Sequence, residues 1–590
     1  MQVFVIKGQL LYTTNQYQMI QIAIIGFGPR GLACLENIIL EVSNQSKSNE
    51  LQLYVFEPSK NLGTGKAWNI DQPKTNYINI SDHALQNLKG RETIHFNDVE
   101  IPSFPSYTQW CLENNKVEKT DGNKDFYPPR SQMGNYLNER SNSICAILIK
   151  NDILTVYREK VISIINKNDF QIINTIERAV KVQECLLTLG HTSTRDSEET
   201  KLFKEHSTNN DVQYIHNPYE TTFVQDDMSN TVVAIKGFGL SMLDITRQLT
   251  NYKFGNFKEK ENSNYLEFCA EKGCVSKIVP YSFDGLPCVP KPYGRIVDDL
   301  FKPSIQQLNT FELFLRNALS QPENCENLDF IITPFSEIVT ELFIKISDTN
   351  CSEDEINYVA KKWLGDMKTT HRLVLDTKLP TVDYMRKTVE MARGTIKPSL
   401  DFTIGQVWRH VQPTLYRLFA FSGIRGELMK DVVDLDQSTK RYSYGPPLES
   451  ILQLIALSEA SILDLNYVSD PKVTTVSNGW KIENEFENNK EVIAGMMCNS
   501  VMDSPILKEF DSPIFDSLKK QNLITSVVND LGVATRPDAT MISPQDNDEV
   551  VSISVVGRNA KGSVLGTDAI LECFSPETQD WAKGIVSRRF

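Results

Sequence analysis

The sequence lacks long apolar runs. The longest ones, such as residues 22–27, have the length of a β-strand, whereas a membrane-spanning helix needs about 20 apolar residues. Residues 1–18 contain one Lys and no long apolar segment followed by a small-residue cleavage site, which a secretory signal requires. We therefore expect a cytoplasmic protein without a membrane partner.

Blocks of basic residues and closely paired cysteines are also absent. The chain has 61 Lys and Arg against 75 Asp and Glu, a net charge of −14, so nucleic-acid binding through clustered cations is not expected. Its 11 cysteines are scattered without a CxxC pair, which is typical of a reduced compartment. Cys269, Cys274 and Cys288 lie near one another with no His among them, so we expect no metal site.

What remains is an ordinary globular composition at considerable length. The chain has 590 residues, of which 41% are hydrophobic and 23% are charged. At about 100–200 residues per domain, this length predicts about three or four domain-sized units. Neither a disordered nor a fibrous protein is indicated.

A glycine-rich turn follows the first strongly apolar run. Residues 21–25, QIAII, form a short run rich in β-branched Ile, residues 26–31 read GFGPRG, and residues 32–42 carry apolar side chains at helical spacing. A second apolar run, residues 51–56, is followed directly by Glu57. The order predicts a strand, a tight turn, a helix and a second strand with an acidic residue at its end.

The glycines of this turn suit a dinucleotide. Gly26 permits the turn, Gly28 lets the backbone approach a diphosphate because it has no Cβ, and Gly31 lets the helix pack on the strand. The opening of the helix presents amides and the positive end of its dipole, and the acidic residue can bind ribose hydroxyls. The alternative is a glycine-rich turn in another kind of α/β unit. The predicted binding residues are Gly26, Gly28, Pro29, Arg30, Gly31 and Glu57.

The same pattern occurs a second time. Residues 231–235, TVVAI, are mostly β-branched, and residues 236–242 read KGFGLSM before a helical stretch. Met242 stands at the third glycine position, and the next predicted strand, residues 275–281, has no clear acidic residue at its end. The pattern predicts a site for NADPH or NADH that involves Gly237, Gly239 and Ser241; the alternative is a structural turn.

The remaining segments divide into a β-rich and a helix-rich part. Short β-like runs predict a meander, and the residues after 304 predict mostly helix up to 435, with Trp408 in the helix core. Thr567-Asp568 can begin a helix that runs through Phe574. The β-like runs are residues 161–165, 170–173 and 185–189, and a later predicted strand is 551–556.

Several motifs in this order resemble a known group, the FAD/NAD(P)-binding family distantly related to the flavin-dependent lysine/ornithine N-monooxygenases. Some members of that family N-oxidise aspartate toward nitrosuccinate. The resemblance spans about residues 19–590 and is firmest in the first 190. The motifs are MIQIAIIGFGPRGL at 19–32, GTGKAW at 63–68, YINI at 77–80, FYPPR at 126–130, MGNYL at 133–137, LTLGH at 187–191 and GRNAKGSVLGTD at 557–568.

The resemblance implies an α/β protein with two Rossmann-like dinucleotide-binding domains and a mostly helical insertion. Each dinucleotide-binding domain is expected to have a three-layer ββα architecture. It implies FAD in the first domain, bound also by Gly190, Gly557, Arg558 and Asp568, and it allows a homo-oligomer. The implied segments are an N-terminal appendage (1–18), the FAD domain (19–190 and 441–590), the NAD(P) domain (191–300) and a mostly helical substrate or interface region (301–440).

The resemblance also implies a function, an FAD-dependent, NAD(P)H-using monooxygenase that N-hydroxylates a small, aspartate-like amino acid with molecular oxygen. Guanidinium groups bind carboxylates in two-pronged fashion, which makes Arg130, Arg409 and Arg441 candidates; His83 and His191 are candidates for proton transfer. The predicted catalytic residues are Arg130, Arg441 and His83, with surface or structural roles as the alternative for each.

Two departures from the family pattern leave other functions open. Met242 replaces a glycine, and residues 280–287 lack an Arg that an NADP 2′-phosphate would favour. The choice between NADPH and NADH therefore stays open. The alternatives for the whole chain are a flavin-dependent NAD(P)H oxidoreductase without oxygen insertion and a noncatalytic flavin-binding regulator whose second nucleotide site has decayed.

Overall fold

The computed structural model describes most of the chain and shows a mixed α/β protein built on two parallel sheets. The described residues are 3–6, 9–12, 19–45, 50–116, 125–167, 169–251, 253–484, 490–544 and 551–590. Within these ranges, no helix is long and apolar enough to cross a membrane, and no group of three or more His, Cys, Asp or Glu side chains is placed to hold a metal ion.

The first sheet has five parallel strands, and both of its faces are buried. Side chains alternate along its central strand, so Ile22 and Ile24 face one core while Ala23 and Ile25 face another. Helices cover the first face and a three-stranded antiparallel sheet covers the second. The strands in spatial order are Ile553–Val555, Glu184–Leu187, Ile20–Ile25, Leu51–Phe56 and Leu154–Tyr157; the helices are Pro29–Ser43, Arg130–Lys150 and Pro576–Arg589; the covering strands are Ser163–Lys167, Phe170–Asn174 and Ala179–Val182.

The second sheet repeats this layering with four parallel strands. One face packs against helix Leu240–Thr250. The other face packs against a three-stranded antiparallel sheet through the fully buried Trp480. The strands in spatial order are Gln213–Ile215, Met496–Asn499, Val232–Lys236 and Lys277–Tyr281; the covering strands are Lys472–Val476, Gly479–Asn484 and Lys490–Ala494.

The helix-rich region lies between these elements in the chain and shares one hydrophobic core with helix Leu240–Thr250. Trp408 is 2% exposed within this core, as predicted from its helical spacing. The helices are Ile305–Leu319, Asp329–Ile346, Glu353–Gly365, Thr381–Arg393, Leu400–Phe419, Gly426–Ser443 and Leu448–Glu459.

Shorter elements connect these layers. The hairpins are Val3–Ile6 with Gln9–Tyr12, Ile94–Phe96 with Val99–Ile101, and Gly255–Glu259 with Leu266–Ala270. The remaining α-helices are Asp82–Leu85, Tyr107–Glu113, Glu198–Asn209, Arg295–Asp298 and Pro513–Lys520. The predicted appendage, residues 1–18, lies partly outside the described residues; its two described strands pair with each other.

The fold class is the predicted one, but three local predictions are wrong. Glu184–Leu187 joins the parallel sheet instead of the meander, because both of its neighbours in the sheet come from distant parts of the chain. Met496–Asn499 lies in the second sheet, so it does not belong with the first sheet as the 441–590 segment implied. No α-helix begins at Thr567-Asp568; a short 3₁₀ turn, Leu571–Phe574, lies there instead.

Candidate dinucleotide sites

The first glycine turn joins the two central strands of the first sheet. Gly26 has a φ of +83°, and its amide donates to the Phe56 carbonyl at 2.9 Å. A Cβ on Gly26 would lie 2.8 Å from the Thr188 oxygen, and one on Gly31 would lie 2.8 Å from the Gly26 oxygen. Both positions therefore need glycine for the turn itself.

Gly28 differs because the protein leaves room around it. It precedes helix Pro29–Ser43, and a Cβ there would meet only the Gly65 backbone, at 3.5 Å. Backbone amides and the helix dipole face the space beside it, which is the arrangement that binds a diphosphate. Gly28 and Gly65 thus form a backbone cradle, and the residues present fit a dinucleotide.

Glu57 is held at the edge of this cradle. Its Oε2 accepts from the Phe27 amide at 2.8 Å, and its Oε1 accepts from the Ser59 amide at 2.9 Å. These two bonds fix the half-buried carboxylate at the carboxyl end of strand Leu51–Phe56. This is the position from which an acidic residue binds ribose hydroxyls in dinucleotide-binding folds.

Arg30 ties the first turn to the C-terminal glycine-rich segment, residues 557–568. Its Nη2 donates to the Thr567 carbonyl at 3.0 Å. Gly557 has no side chain to fill the space that the Arg30 side chain occupies. Among the described residues, no acceptor reaches the buried Nε of Arg30. A buried donor without a partner fits a site that receives an anionic ligand.

The same C-terminal segment carries a partly buried charge cluster, whose side chains are 12–16% exposed. Asp568 pairs with both Lys440 and Arg558. Burial alone would raise the pKa of Asp568, but the two cations hold it well below its usual range. Arg558 also donates to the Asp503 carbonyl at 2.9 Å. Gly190, at the end of the neighbouring strand, has a φ of +65° and no atom within 4 Å of a built Cβ.

The second glycine turn has the same backbone geometry as the first. Gly237 has a φ of +108°, and its amide donates to the Tyr281 carbonyl at 2.8 Å. Gly239 precedes helix Leu240–Thr250, and no atom lies within 4 Å of a Cβ built on it. The turn therefore also leaves its helix opening accessible to a ligand.

Met242 does not disturb this turn. Its side chain is 1% exposed within the hydrophobic core, and its sulfur accepts from the Thr246 hydroxyl at 3.1 Å. Ser241, beside it, is 8% exposed. The core thus accommodates Met242 at the third glycine position. The substitution gives no sign that the second nucleotide site has decayed.

The two strand ends differ in charge. Phe56 and Tyr281 occupy equivalent places, since each accepts from the first glycine of its turn. Glu57 follows Phe56, whereas Ser282 follows Tyr281. The second turn therefore has a hydroxyl where the first has a carboxylate. The charged residue nearest to Ser282 in the sequence is Asp284, whose carboxylate pairs with Arg441.

Arg130 lies between the two sheets. Its guanidinium pairs with Asp244 at 2.8 Å and donates to the Tyr77 carbonyl at 3.2 Å. The Tyr219 hydroxyl donates to the same Asp244 carboxylate at 2.8 Å. Burial by itself would lower the pKa of Arg130, but Asp244 and Tyr219 together raise it above its usual value. Asp244 belongs to the helix of the second turn, so this pair links the two dinucleotide units.

The three predicted catalytic residues occupy separate surroundings. No hydrogen bond or ion pair between described residues joins any two of Arg130, Arg441 and His83. Their catalytic roles stay predictions. Arg409, the other candidate, pairs with Asp298.

Sequence reasoning missed two groups that the fold brings together. One is the buried Asp244, which appears in the sequence as an ordinary polar residue of a helix. The other is Lys291, whose side chain reaches the Asn79 carbonyl. A lysine before a proline in a loop gives no periodic signal, so only the tertiary contacts reveal it.

Comparisons with known proteins agree with this geometry. The model of a family described as FAD-NAD(P)-binding matches residues 23–192. The chain is 22% identical over 516 residues to a nitrosuccinic acid synthase of Aspergillus oryzae, an alignment that covers 75% of this chain and 72% of that protein.

Two solved structures are similar at low identity. One is L-lysine 6-monooxygenase from Pseudomonas syringae, with 9% identity, coverage of 96% of this chain and 99% of that chain, and a TM-score of 0.41. The other is bacillithiol disulfide reductase from Staphylococcus aureus, with 12% identity, coverage of 97% and 100%, and a TM-score of 0.41. The predicted FAD and NAD(P) cofactors are confirmed by the family match, and residues 23–192 of the chain are an FAD-NAD(P)-binding domain.

Proposed function

We propose that this chain is an FAD-dependent, NAD(P)H-using monooxygenase that N-hydroxylates the amine of a small, aspartate-like amino acid. The similarity to a nitrosuccinic acid synthase supports the substrate class. We assign FAD to the turn at Gly26–Gly31 and NAD(P)H to the turn at Gly237–Ser241.

The observation that carries this proposal is the pair of glycine turns with one geometry. In each, the first glycine donates to the last residue of the neighbouring strand, at 2.9 Å for Gly26 and 2.8 Å for Gly237. Each turn leaves the opening of its helix accessible. Two such sites in one chain support electron transfer between two dinucleotides better than they support a regulator that binds flavin alone.

The chain's own residues hold and orient these ligands. When bound, FAD supplies electron transfer from a nicotinamide to oxygen. The helix openings after Gly28 and Gly239 favour the diphosphates. Glu57 orients a ribose, and the cluster of Lys440, Arg558 and Asp568 places fixed charges beside the C-terminal segment. Binding of the amino acid requires further cations for its carboxylates.

The test uses the purified full chain. We expect bound flavin, aspartate-dependent oxidation of NADPH or NADH, and an N-oxygenated product detected by mass spectrometry with incorporation of labelled oxygen. Nicotinamide oxidation without labelled product for any amino acid would favour an oxidoreductase without oxygen insertion. Flavin that neither nucleotide reduces would favour a noncatalytic role and overturn the proposal.

A further inference from the structure

Two exposed apolar groups flank the second glycine turn, one on each side. The strand that leads into this turn pairs with two neighbours, which end at Tyr281 and Asn499. Phe283 follows the first of these ends and is 91% exposed, while Val501 and Met502 follow the second and are 55% and 56% exposed. Large apolar side chains exposed beside a ligand site indicate contact with an apolar part of the ligand.

Contacts on the Val501 side fix its distance from the turn. A Cβ built on Gly237 would lie 3.3 Å from Cγ2 of Val501. The Ser500 hydroxyl donates to the Lys236 carbonyl at 2.7 Å, and the Ser500 amide donates to the same carbonyl at 2.9 Å. Val501 therefore lies against the backbone of the turn, and Met502 is the next residue along the chain.

Phe283 lies at the tip of a tight turn of its own. The Ser282 hydroxyl accepts from the Gly285 amide at 3.1 Å, and Gly285 has a φ of +65°. The Ser282 amide donates to the Val468 carbonyl, and the Ser282 carbonyl accepts from the Asp470 amide, each at 2.8 Å. These bonds hold the backbone before and after Phe283 while its ring faces solvent. A side chain on a backbone held this way loses little conformational freedom when a ligand covers it.

The order of these groups along the sheet edge matches the order of the parts of a dinucleotide. The opening of the helix after Gly239, which favours a diphosphate, lies between the two apolar groups. In dinucleotide-binding folds, the end of the second strand binds the ribose of the adenosine half, and Ser282 occupies that place. Phe283 follows Ser282, so it lies on the adenosine side. Val501 and Met502 lie on the opposite side, which is that of the nicotinamide.

The Met502 side of the second unit also contacts the first unit. Asp503 follows Met502, and its carbonyl accepts from Nη2 of Arg558 at 2.9 Å. The Asp503 carboxylate accepts from the Thr194 hydroxyl at 2.7 Å. Arg558 belongs to the C-terminal glycine-rich segment, which also contacts Arg30 of the first turn. A ring that packs on Met502 would thus lie on the side of the second unit that adjoins the predicted FAD domain.

We propose that Phe283 stacks on the adenine of NAD(P)H and that Val501 and Met502 pack against its nicotinamide. This inference rests on the proposed function, which assigns NAD(P)H to the second turn. An aromatic side chain offers a flat apolar face to a purine. Aliphatic and thioether side chains offer an adaptable apolar surface to the smaller ring. The three side chains therefore set the direction in which the nucleotide lies across the turn.

The test compares two ligands that differ only in the nicotinamide. Calorimetry with the FAD-loaded full chain measures binding of NADP⁺, which does not reduce flavin, and of 2′-phospho-ADP-ribose, which lacks the nicotinamide. NAD⁺ and ADP-ribose replace them if the chain binds NAD⁺ more tightly. We expect Phe283→Ala to weaken binding of both ligands at least about fivefold, because the stacking of the base is lost. Phe283→Trp should restore both affinities.

The nicotinamide side has a variant of its own. The double variant Val501→Ser/Met502→Ser should weaken NADP⁺ binding at least about fivefold, because apolar contacts with the ring are lost. Binding of 2′-phospho-ADP-ribose should not change. Phe314→Ala and Leu313→Ser are the matched controls and should bind both ligands like the wild type, since these residues are 51% and 60% exposed on a helix outside the second sheet. Unchanged flavin absorbance in each variant shows that the fold is intact.

Two results would overturn the inference and spare the proposed function. One is wild-type affinity of Phe283→Ala for 2′-phospho-ADP-ribose. The other is a Val501→Ser/Met502→Ser protein in which NADP⁺ binding is unchanged, or in which both ligands are weakened equally. Neither result depends on turnover.

Other outcomes separate the two proposals further. If the variants bind as expected but no amino acid is N-oxygenated, the ring contacts stand and the proposed function fails. If aspartate is N-oxygenated and Phe283→Ala keeps the wild-type KM for the nucleotide, the proposed function stands and the ring contacts fail. A wild-type chain that binds neither nucleotide contradicts both.

Discussion

At the residue scale, the glycines of the two turns have different tasks. Gly26 and Gly237 adopt positive φ angles that other residues avoid, and a side chain on either would meet neighbouring atoms. Gly28 and Gly239 have space around them that the protein itself does not fill. The first pair therefore builds the turns, and the second pair leaves room for ligands.

This difference predicts separable losses of the two cofactors. Gly28→Val should fold, because a Cβ there meets only ordinary contacts, but its methyl groups should fill the diphosphate space and abolish FAD retention. Gly239→Val is the matched variant and should keep FAD while weakening NADPH and NADH binding at least about tenfold. Flavin absorbance and nucleotide titrations measure the two effects. A Gly28→Val protein that retains flavin would contradict the assignment of the first turn.

At the scale of elements, the two sheets are built alike but end differently. In both, a βαβ unit of parallel strands is covered by helices on one side and by an antiparallel three-stranded sheet on the other. Glu57 ends the second strand of one unit, and Ser282 ends that of the other. A carboxylate at this position repels a 2′-phosphate, whereas a hydroxyl does not.

The strand ends predict a preference for NADPH at the second turn. Ser282→Glu should lower kcat/KM for NADPH at least about tenfold, with a smaller change for NADH, because the new carboxylate would face the 2′-phosphate. Steady-state kinetics with both nucleotides measure the effect. Ser438→Glu, on an exposed helix face, is the control for added negative charge. Equal losses for both nucleotides would refute this reading of Ser282.

At the scale of the whole molecule, a buried ion pair joins the two dinucleotide units. Arg130 begins a helix of the first unit, Asp244 lies in the helix of the second, and their side chains are 20% and 3% exposed. Arg247, one turn further along, lies over the Tyr77 ring with 4.8 Å between its Cζ and the ring centroid. The relative position of the two glycine turns depends on these contacts.

This pair predicts a large cost for removing one partner. Asp244→Asn should lower the free energy of unfolding by about 3 kcal/mol, since it leaves the Arg130 charge buried without its carboxylate. Chemical denaturation measures the loss. Asp226→Asn, which removes the exposed partner of Lys253, should have no measurable effect. If Asp244→Asn and Asp226→Asn lost similar amounts of unfolding free energy, burial of the Arg130–Asp244 pair would not make it costlier to break than an exposed pair.

Much of the first unit could be predicted from local sequence. The run at residues 20–25, the glycine turn and Glu57 are adjacent in the chain, so hydrophobic period and turn chemistry suffice to define them. The neighbours of Glu184–Leu187 and Met496–Asn499 could not be predicted, because strand pairing depends on contacts between distant segments. A single strand contains no information about which edge it will join.

The sequence by itself determined the fold class, the two glycine turns and the acidic residue beside the first of them, because each follows from residues close together in the chain. Only the tertiary structure decided where the isolated side chains lie. It paired Arg130 with Asp244 and Arg441 with Asp284, and it brought Lys291 to Asn79. These contacts join residues more than a hundred positions apart, and their geometry depends on packing of whole layers rather than on local pattern.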